Sequence, residues 1–241
     1  MSTEPRHGRA LTGISSMATR ALLSAVTAQY ERETQTTVSI ASIGGVDAAK
    51  RVDADEAFDI VVLASDAIAR LVDAKKIVPD SVVDVVHSSI ALAVKSGRDV
   101  PRIATAADVR SAVLQARSVG YSTGPSGVHI RRVLAEWGLT EDDVAPAPNR
   151  PRIVQARPGI PVGSLIADGE VDLGFQQLSE LQSVEGITIV GLLPAPIQAV
   201  TTFCAGIATT ATDRTSASAF LAFLASPALA ELKAAHGMQP A

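Results

Sequence analysis

The chain has 241 residues, of which 47% are hydrophobic and 19% are charged, so it is apolar enough to fold and long enough for one large or two small domains. The formal net charge is −4 and no block of Lys and Arg exists, which argues against a nucleic-acid-binding protein. No apolar run reaches the roughly 18 residues of a membrane helix, and the single cysteine, Cys204, excludes an internal disulfide and is predicted to be a core residue.

Short β-like runs alternate with amphipathic helical stretches in the first part of the chain. Apolar residues recur at helical spacing over 17–33, which predicts a helix. The run DIVVLA at 59–64 is continuously apolar after its first residue, as is typical of a parallel strand buried on both faces. Ser65 and Asp66 then supply an N-cap for the next helix. Strands are predicted at 10–14, 37–41 and 59–64, and helices at 17–33, 46–52 and 67–76.

The same alternation continues to the end of the chain and predicts an α/β fold with a parallel sheet. Pro227 splits the last apolar stretch, 215–236, into two helices, and four prolines mark 146–158 as rich in loops. The remaining predicted strands are 90–94, 118–122, 171–175, 187–192 and 200–208, and the remaining predicted helices are 106–116, a helix that ends at Trp137, and 162–168.

The common catalytic and cofactor motifs are absent. The sequence contains no GxxxxGK[ST], GxSxG, HExxH or CxxC motif. The four histidines are scattered and do not have the spacing of metal ligands. We therefore predict neither a metal site nor a cofactor.

Four small, polar, glycine-rich turns come directly before helices, and each follows a β-like run. Such a turn leaves backbone N–H groups at a helix start, where the helix dipole favours an anion. In an open α/β sheet the carboxyl ends of the strands lie at one edge, where ligands bind. The pattern predicts a small anion held by N–H groups and hydroxyls at the turns 13–16, 42–45, 121–127 and 157–161.

The chain also resembles the molybdate-binding type of ABC-transporter solute-binding proteins, within the broad type II periplasmic-binding class. The resemblance rests on the serine turn and helix at 15–30 and on a series of motifs in the same order. These are FDIVVLAS at 58–65, GPSGVHIRRVLAEWGL at 124–139, GEVDLGFQQLSEL at 169–181, VGLLPAPIQAVTTFCAGIA at 190–208 and AFLAFLASPALAELKAAHGMQP near the end.

The resemblance implies a two-lobed α/β fold, with a mostly parallel sheet flanked by helices in each lobe and a ligand cleft between the lobes. Lobe I would contain 1–88 plus 199–241, and lobe II would contain 89–198. Two crossing strands, near 87–92 and 196–202, would join the lobes and act as a hinge.

The resemblance also implies ligand residues. The family's first serine falls on Ser16, and its later backbone donors fall on Ser126 and near Gly159. Glycines stand where the family has a serine in the second turn, and Gln177 stands where it has a tyrosine, so selectivity for molybdate is in doubt. The predicted ligand-binding residues are Ser15, Ser16, Arg20, Gly44, Gly45, Ser122, Thr123, Ser126, Gly127, Gly159 and Gln177.

Three functions remain open at this point. The first is a substrate-binding protein of an ABC transporter that holds a small oxyanion or carboxylate. The second is a cytoplasmic isomerase or tautomerase of a small unsaturated polycarboxylic acid, since aconitate isomerase resembles these binding proteins. The nearby cations Arg20, His129 and Arg157 favour this second function, because they can pair with carboxylates. His129 and Tyr121 would then be its general acid and base. The third is a ligand-sensing module without catalysis.

The predicted partner is a small anionic ligand, with a transporter permease in addition if the protein is exported; neither nucleic acid nor membrane insertion is predicted. The start MSTEPRHGRA is not followed by the apolar region of a secretory signal. We therefore expect a cytoplasmic protein if Met1 is the natural start, and a periplasmic one if the sequence is a processed chain.

Overall fold

A computed structural model describes residues 10–140 and 150–241. The strands are β1 (Leu11–Ser16), β2 (Val38–Ile43), β3 (Ile60–Ala64), β4 (Val83–Lys95), β5 (Ser118–Tyr121), β6 (Arg152–Gln155), β7 (Leu173–Gln177), β8 (Ile187–Leu192), β9 (Val200–Ile207) and β10 (Met238–Pro240). The α-helices are α1 (Arg20–Thr34), α2 (Gly45–Asp53), α3 (Ser65–Asp73), α4 (Ala106–Gln115), α5 (Pro125–Glu136), α6 (Val162–Asp168), α7 (Leu178–Leu181), α8 (Arg214–Ala225) and α9 (Ala230–Ala235).

The chain divides into two compact units, and the long strands β4 and β9 each have residues in both. The predicted hinge and lobe limits, 1–88 plus 199–241 and 89–198, stay predictions. Unit 1 contains Met1–Val85, Phe203–Leu232 and Ala241, and unit 2 contains Val86–Thr202 and Lys233–Pro240.

The sheet of unit 1 is built around β3, whose five residues IVVLA are all buried. Strand β1 pairs in parallel with both β2 and β3, and β3 pairs antiparallel with β9. On one side of the sheet, Tyr30 of α1 packs edge-on against Phe220 of α8, with the ring centroids 5.1 Å apart. Because β1, β2 and β3 run in parallel, their carboxyl ends meet at one edge of the sheet.

The sheet of unit 2 is built around β5, which pairs in parallel with β6 and β7. Strand β4 pairs antiparallel with β7 and β8, and β10 adds to its first part. Successive side chains of β7 point to opposite faces of the sheet. Phe175 packs in the hydrophobic cluster that includes residues of α5, and Gln176, on the other face, accepts a hydrogen bond from the first N–H of α6. The helices α5, α6 and α7 all begin near the carboxyl ends of β5, β6 and β7.

Four elements, β4, β6, α7 and β10, differ clearly from the sequence-based expectations. Strand β4 covers Val83–Lys95 rather than 90–94, because its first half mixes polar and partly exposed residues with buried ones instead of forming one apolar run. The proline-rich stretch 146–158, partly outside the described residues, contains β6, whose backbone pairs with β5 despite its two exposed side chains. Helix α7 and strand β10 have four and three residues and were too short to predict.

In the described part of the chain, no single helix has both the length and the hydropathy to cross a membrane; the bent pair 214–225 and 227–235 passes only when both helices are counted together.

Candidate functional site

The carboxyl edge of unit 1 carries three serine hydroxyls. The Oγ atoms of Ser15 and Ser42 lie 2.7 Å apart across the paired strands β1 and β2. Ser16 is 8% exposed, and its Oγ accepts a hydrogen bond from the N–H of Ala18 at 3.3 Å. Because Oγ is the acceptor in that bond, the Ser16 hydroxyl hydrogen remains available to a ligand.

The second predicted turn lies next to these hydroxyls. Gly44 precedes α2 and Gly45 is its first residue, and no side chain caps this helix. A Cβ on Gly45 would lie 3.6 Å from the Ser16 Oγ, so the turn and the serine are neighbours. The first-turn N–H groups of α2 are therefore open to an anion beside Ser16. Glycines stand where the family has a serine in this turn, but Ser42, in the same turn, provides a hydroxyl beside Ser15.

Arg20 lies at the start of α1, one turn after Ser16, and is exposed. It forms no ion pair with any described residue. A solvated guanidinium without a partner costs little, so nothing in its surroundings requires a ligand carboxylate. Its predicted role as a carboxylate-binding residue stays a prediction.

The carboxyl edge of unit 2 carries a second hydroxyl pair. Ser122 and Ser126 are both buried, and their Oγ atoms lie 3.0 Å apart. One hydroxyl donates to the other, so one hydrogen of the pair remains available. Thr123 is half-buried in the same turn, and no side chain caps α5. Gly127 allows this turn, because a Cβ there would overlap the carbonyl oxygen of Ser122.

The fourth predicted turn does not present free N–H groups at its helix start. Gly159 is exposed, with φ +80°, in the loop before α6. The N–H groups of Val162 and Gly163 donate instead to Oε1 of Gln176, at 2.8 and 3.3 Å. The amide oxygen of Gln176 thus takes the place that an anion would occupy at this helix start.

Gln177 ends β7, is 2% exposed and is fully engaged within unit 2. Its amide hydrogen-bonds Thr201 Oγ1 at 2.9 Å. With the amide oxygen facing Thr201, the nitrogen donates to Oγ of Ser88 at 2.9 Å, so the side chain joins β7 to β4 and β9. These internal partners leave the amide little capacity for a ligand.

Glu180, on α7 near this edge, has a carboxyl group whose pKa is strongly raised. Its Oε1 accepts a hydrogen bond from Nε2 of Gln176 at 2.9 Å. Burial raises the pKa of the Glu180 carboxyl from about 4.5 to about 7, and the hydrogen bond from Gln176 opposes that rise. A carboxyl group with a pKa near neutrality is able to exchange a proton under physiological conditions.

The two predicted acid–base residues have other surroundings. Tyr121 is completely buried in the hydrophobic core of unit 2. His129 Nε2 lies 2.9 Å from the carbonyl oxygen of Ile197, which fixes this nitrogen as a donor, and Nδ1 faces a guanidinium nitrogen of Arg132 at 3.2 Å. His129 and Arg132 also line a surface cavity of about 700 Å³ along α5.

Cys204 has the surroundings of an unreactive thiol. It is buried, and its Sγ lies 2.9 Å from Oδ1 of Asp84. Burial and, to a smaller extent, the neighbouring Asp84 carboxylate together raise the pKa of the thiol to about 12. Within the described ranges, no group of three His, Cys, Asp or Glu residues has the arrangement of a metal site.

The structure thus brings Ser15, Ser16, Gly44 and Gly45 together in unit 1, and Ser122, Thr123, Ser126 and Gly127 together in unit 2. Sequence reasoning missed the roles of Gln176 and Glu180. The QxxxE spacing at a strand end was their signal, since i and i+4 side chains meet once a helix begins.

Two comparisons by sequence connect the chain to known proteins. Residues 11–239 match the family model of bacterial extracellular solute-binding proteins. The chain is also 34% identical to the aconitate isomerase of a Pseudomonas species. The alignment spans 236 residues and covers 95% of this chain and 87% of that protein. The resemblance that the sequence motifs predicted is confirmed.

Solved structures confirm the fold class as well. The periplasmic molybdate-binding protein of Azotobacter vinelandii superposes with a TM-score of 0.75 at 20% identity, covering 95% of this chain and 98% of that one. The tungstate ABC transporter structure from Geobacter sulfurreducens gives a TM-score of 0.69 at 13% identity and covers 93% and 97%. The chain therefore has the mixed α/β, type II periplasmic-binding-protein fold, and identities this low show the fold alone.

Proposed function

The chain belongs to the family of bacterial extracellular solute-binding proteins, and from this premise we propose that it binds a small di- or tricarboxylate. The observation that carries the proposal is the pair of hydroxyl clusters at the carboxyl edges of the two sheets, each beside an uncapped helix start. Hydroxyl and N–H donors at a helix N-terminus stabilise an anion without a counter-charge. The 34% identical relative, named for a tricarboxylate, supports a carboxylate over a metal oxyanion.

A panel of anions tests this binding. Thermal unfolding is followed with cis-aconitate, trans-aconitate, citrate, molybdate, tungstate and sulfate, and we expect a carboxylate to give the largest rise in Tm. At 100 times its Kd, a ligand adds about 2.7 kcal/mol to the free energy of unfolding. Ser16→Ala and Ser126→Ala each remove one donor, so binding should weaken about tenfold, whereas the exposed Ser24→Ala should leave the affinity unchanged. A Tm response to molybdate or tungstate alone, or to no anion, contradicts the proposal.

A second candidate function is isomerisation of an aconitate-like acid, favoured by the relative's name and by the carboxyl of Glu180. Moving the double bond requires that the CH₂ carbon lose one proton to a base and that the vinylic CH carbon gain one. No oxidant or reductant takes part. A carboxylate with a pKa of about 7 is matched to this transfer, while His129 has a main-chain partner on one nitrogen and Arg132 on the other.

The conservative change Glu180→Gln separates binding from turnover. Its amide oxygen still accepts the bond from Gln176, so we expect carboxylate affinity within about threefold and an isomerisation rate lower by about 10²–10⁴-fold. Proton NMR of aconitate over time measures the rate. Since the ionised form is the base, the wild-type kcat/KM should rise with pH through a step near 7. The exposed Glu185→Gln is the control, and full turnover in Glu180→Gln rules out this role.

A further inference from the structure

Lys233 stands out among the buried residues of unit 2. It is 2% exposed, and it is the only cationic side chain among the buried residues that the structure describes. Its ammonium has neither an ion pair nor a hydrogen bond with any described residue. Burial lowers the pKa of this ammonium below the usual 10.5. A buried cation without a partner is costly, so its presence calls for an anion that the described residues do not provide.

The position of Lys233 relates it to the carboxyl edge of unit 2. One helical turn later, Gly237 lies against α7, since a Cβ there would meet Gln182 Oε1 and Leu178 Cγ at 2.5 and 3.0 Å. The next residue, Met238, pairs with Ser88 of β4. Helix α7 begins immediately after Gln177, at the edge where β5 and β7 end. The segment that follows the helix of Lys233 therefore lies against α7, which begins at the carboxyl end of β7, the strand next to β5.

A second polar side chain without a partner among the described residues lies on α7. Ser179 of α7 is 5% exposed, and its Oγ is the buried side-chain polar atom in the described chain that finds no hydrogen-bond partner. Buried hydroxyls nearly always have a partner in folded proteins. The ammonium of Lys233 and the hydroxyl of Ser179 both lack a partner among the described residues, and each indicates a missing polar group.

We propose that Lys233 is the cation that pairs with a carboxylate of the bound ligand, an inference that rests on the proposed carboxylate-binding function. The exposed Arg20 is solvated, whereas Lys233 is 2% exposed and has no ion pair or hydrogen bond with a described residue. The free protein pays to bury the ammonium, and the ligand carboxylate offsets that cost when it binds. Lys233 thereby favours carboxylates over neutral solutes of the same shape.

Lys233→Met gives a signature that a merely structural lysine does not. Methionine keeps the length of the side chain and removes the buried charge, so the free variant should unfold several degrees higher than the wild type. Its affinity for the carboxylate that binds the wild type best should fall about 100-fold or more. Lys75→Met, on the exposed surface of unit 1, should change neither property. Arg20→Met is the competing arm, and a comparable loss there instead of at Lys233 overturns the proposal.

Proton uptake provides a measurement on the wild type, which is needed if the variant does not fold. Because a bound carboxylate raises the pKa of the Lys233 ammonium, binding measured over a series of alkaline pH values should take up protons wherever the free ammonium is partly deprotonated. Calorimetry in two buffers of different ionisation enthalpy detects this uptake, and Lys233→Met should lack it. If the wild type binds a carboxylate without proton uptake, or if the variant binds equally well, Lys233 is not the cation although the proposed function stands. If the wild type binds no carboxylate, both the role of Lys233 and the proposed function are wrong.

Discussion

Gly127→Ala is expected to lower the free energy of unfolding by about 3 kcal/mol or more. In the turn between β5 and α5 a Cβ at this position would overlap the carbonyl oxygen of Ser122, which is main chain and is held by the adjoining strand. To admit the methyl group, the turn has to open. The hydrogen bond between Ser122 and Ser126 is then lost together with the donors of this cluster.

Gly124→Ala is the matched control for this change. Gly124 lies in the same turn with φ −80°, and a Cβ there has no neighbouring atom within 4 Å. Its effect on the free energy of unfolding should stay within about 0.5 kcal/mol. Urea unfolding measures both variants, and carboxylate titration shows whether the cluster survives. If Gly127→Ala and the wild type had equal urea midpoints, the distance between residue 127 and the Ser122 carbonyl would have to be larger in solution than in this structure.

The elements that sequence patterns predicted well are those with one strong physical signal. Strand β3 is buried on both faces, so its residues form a continuous apolar run that only a central strand accepts. The start of α4, predicted at 106, carries a local signal of the same kind in its capping box, in which Thr105 accepts from the N–H of Asp108 and the Asp108 carboxylate accepts from the N–H of Thr105. Local chemistry of this kind is readable without the rest of the fold. The N-cap predicted at Ser65 and Asp66 is wrong, because α3 begins at Ser65 itself and no side chain caps it.

The elements that escaped prediction depend on distant partners. Strand β6 has two exposed residues out of four and is a strand only because β5 provides its backbone hydrogen bonds. The first half of β4 is similar, since β10, about 150 residues later in the chain, pairs with it. A local hydrophobic period does not reveal such pairing, because main-chain bonds to a strand distant in sequence leave no pattern in the side chains.

The candidate site divides in the same way. Serine and glycine turns before helices identified the hydroxyl clusters, because the turn residues carry both the backbone geometry and the donors. The closure of the fourth turn by Gln176 was not predictable, since it depends on an amide 14 residues from Val162 reaching across to a helix start. Lys233 was equally hidden, because a lysine in an apolar helical stretch reads as a solvated residue until its burial is known.

Asp59→Ala should be as destabilising as the change at Gly127, by about 3–5 kcal/mol. Asp59 is 2% exposed and lies just before β3. One carboxylate oxygen accepts from the N–H and the hydroxyl of Thr12, at 2.9 and 3.1 Å, and the other accepts from the N–H of Thr212 at 3.2 Å. A single side chain thus joins β1 to the segment that follows β9, within unit 1. Alanine leaves three donors without this acceptor and opens a cavity beside them.

Two further variants distinguish this network from a simple charge effect. Asp59→Asn keeps one oxygen acceptor and should cost less, about 1–3 kcal/mol. Asp66→Ala removes an exposed carboxylate that pairs with Arg70 one turn away at 3.0 Å, and should cost no more than about 0.5 kcal/mol. Chemical denaturation gives the order of the three, and amide hydrogen exchange in Asp59→Ala should show the loss of protection beginning at Thr12 and Thr212. If Asp59→Ala were as stable as Asp66→Ala, the carboxylate would not join these segments in solution, and the start of β1 would be held by its backbone pairing with β2 and β3.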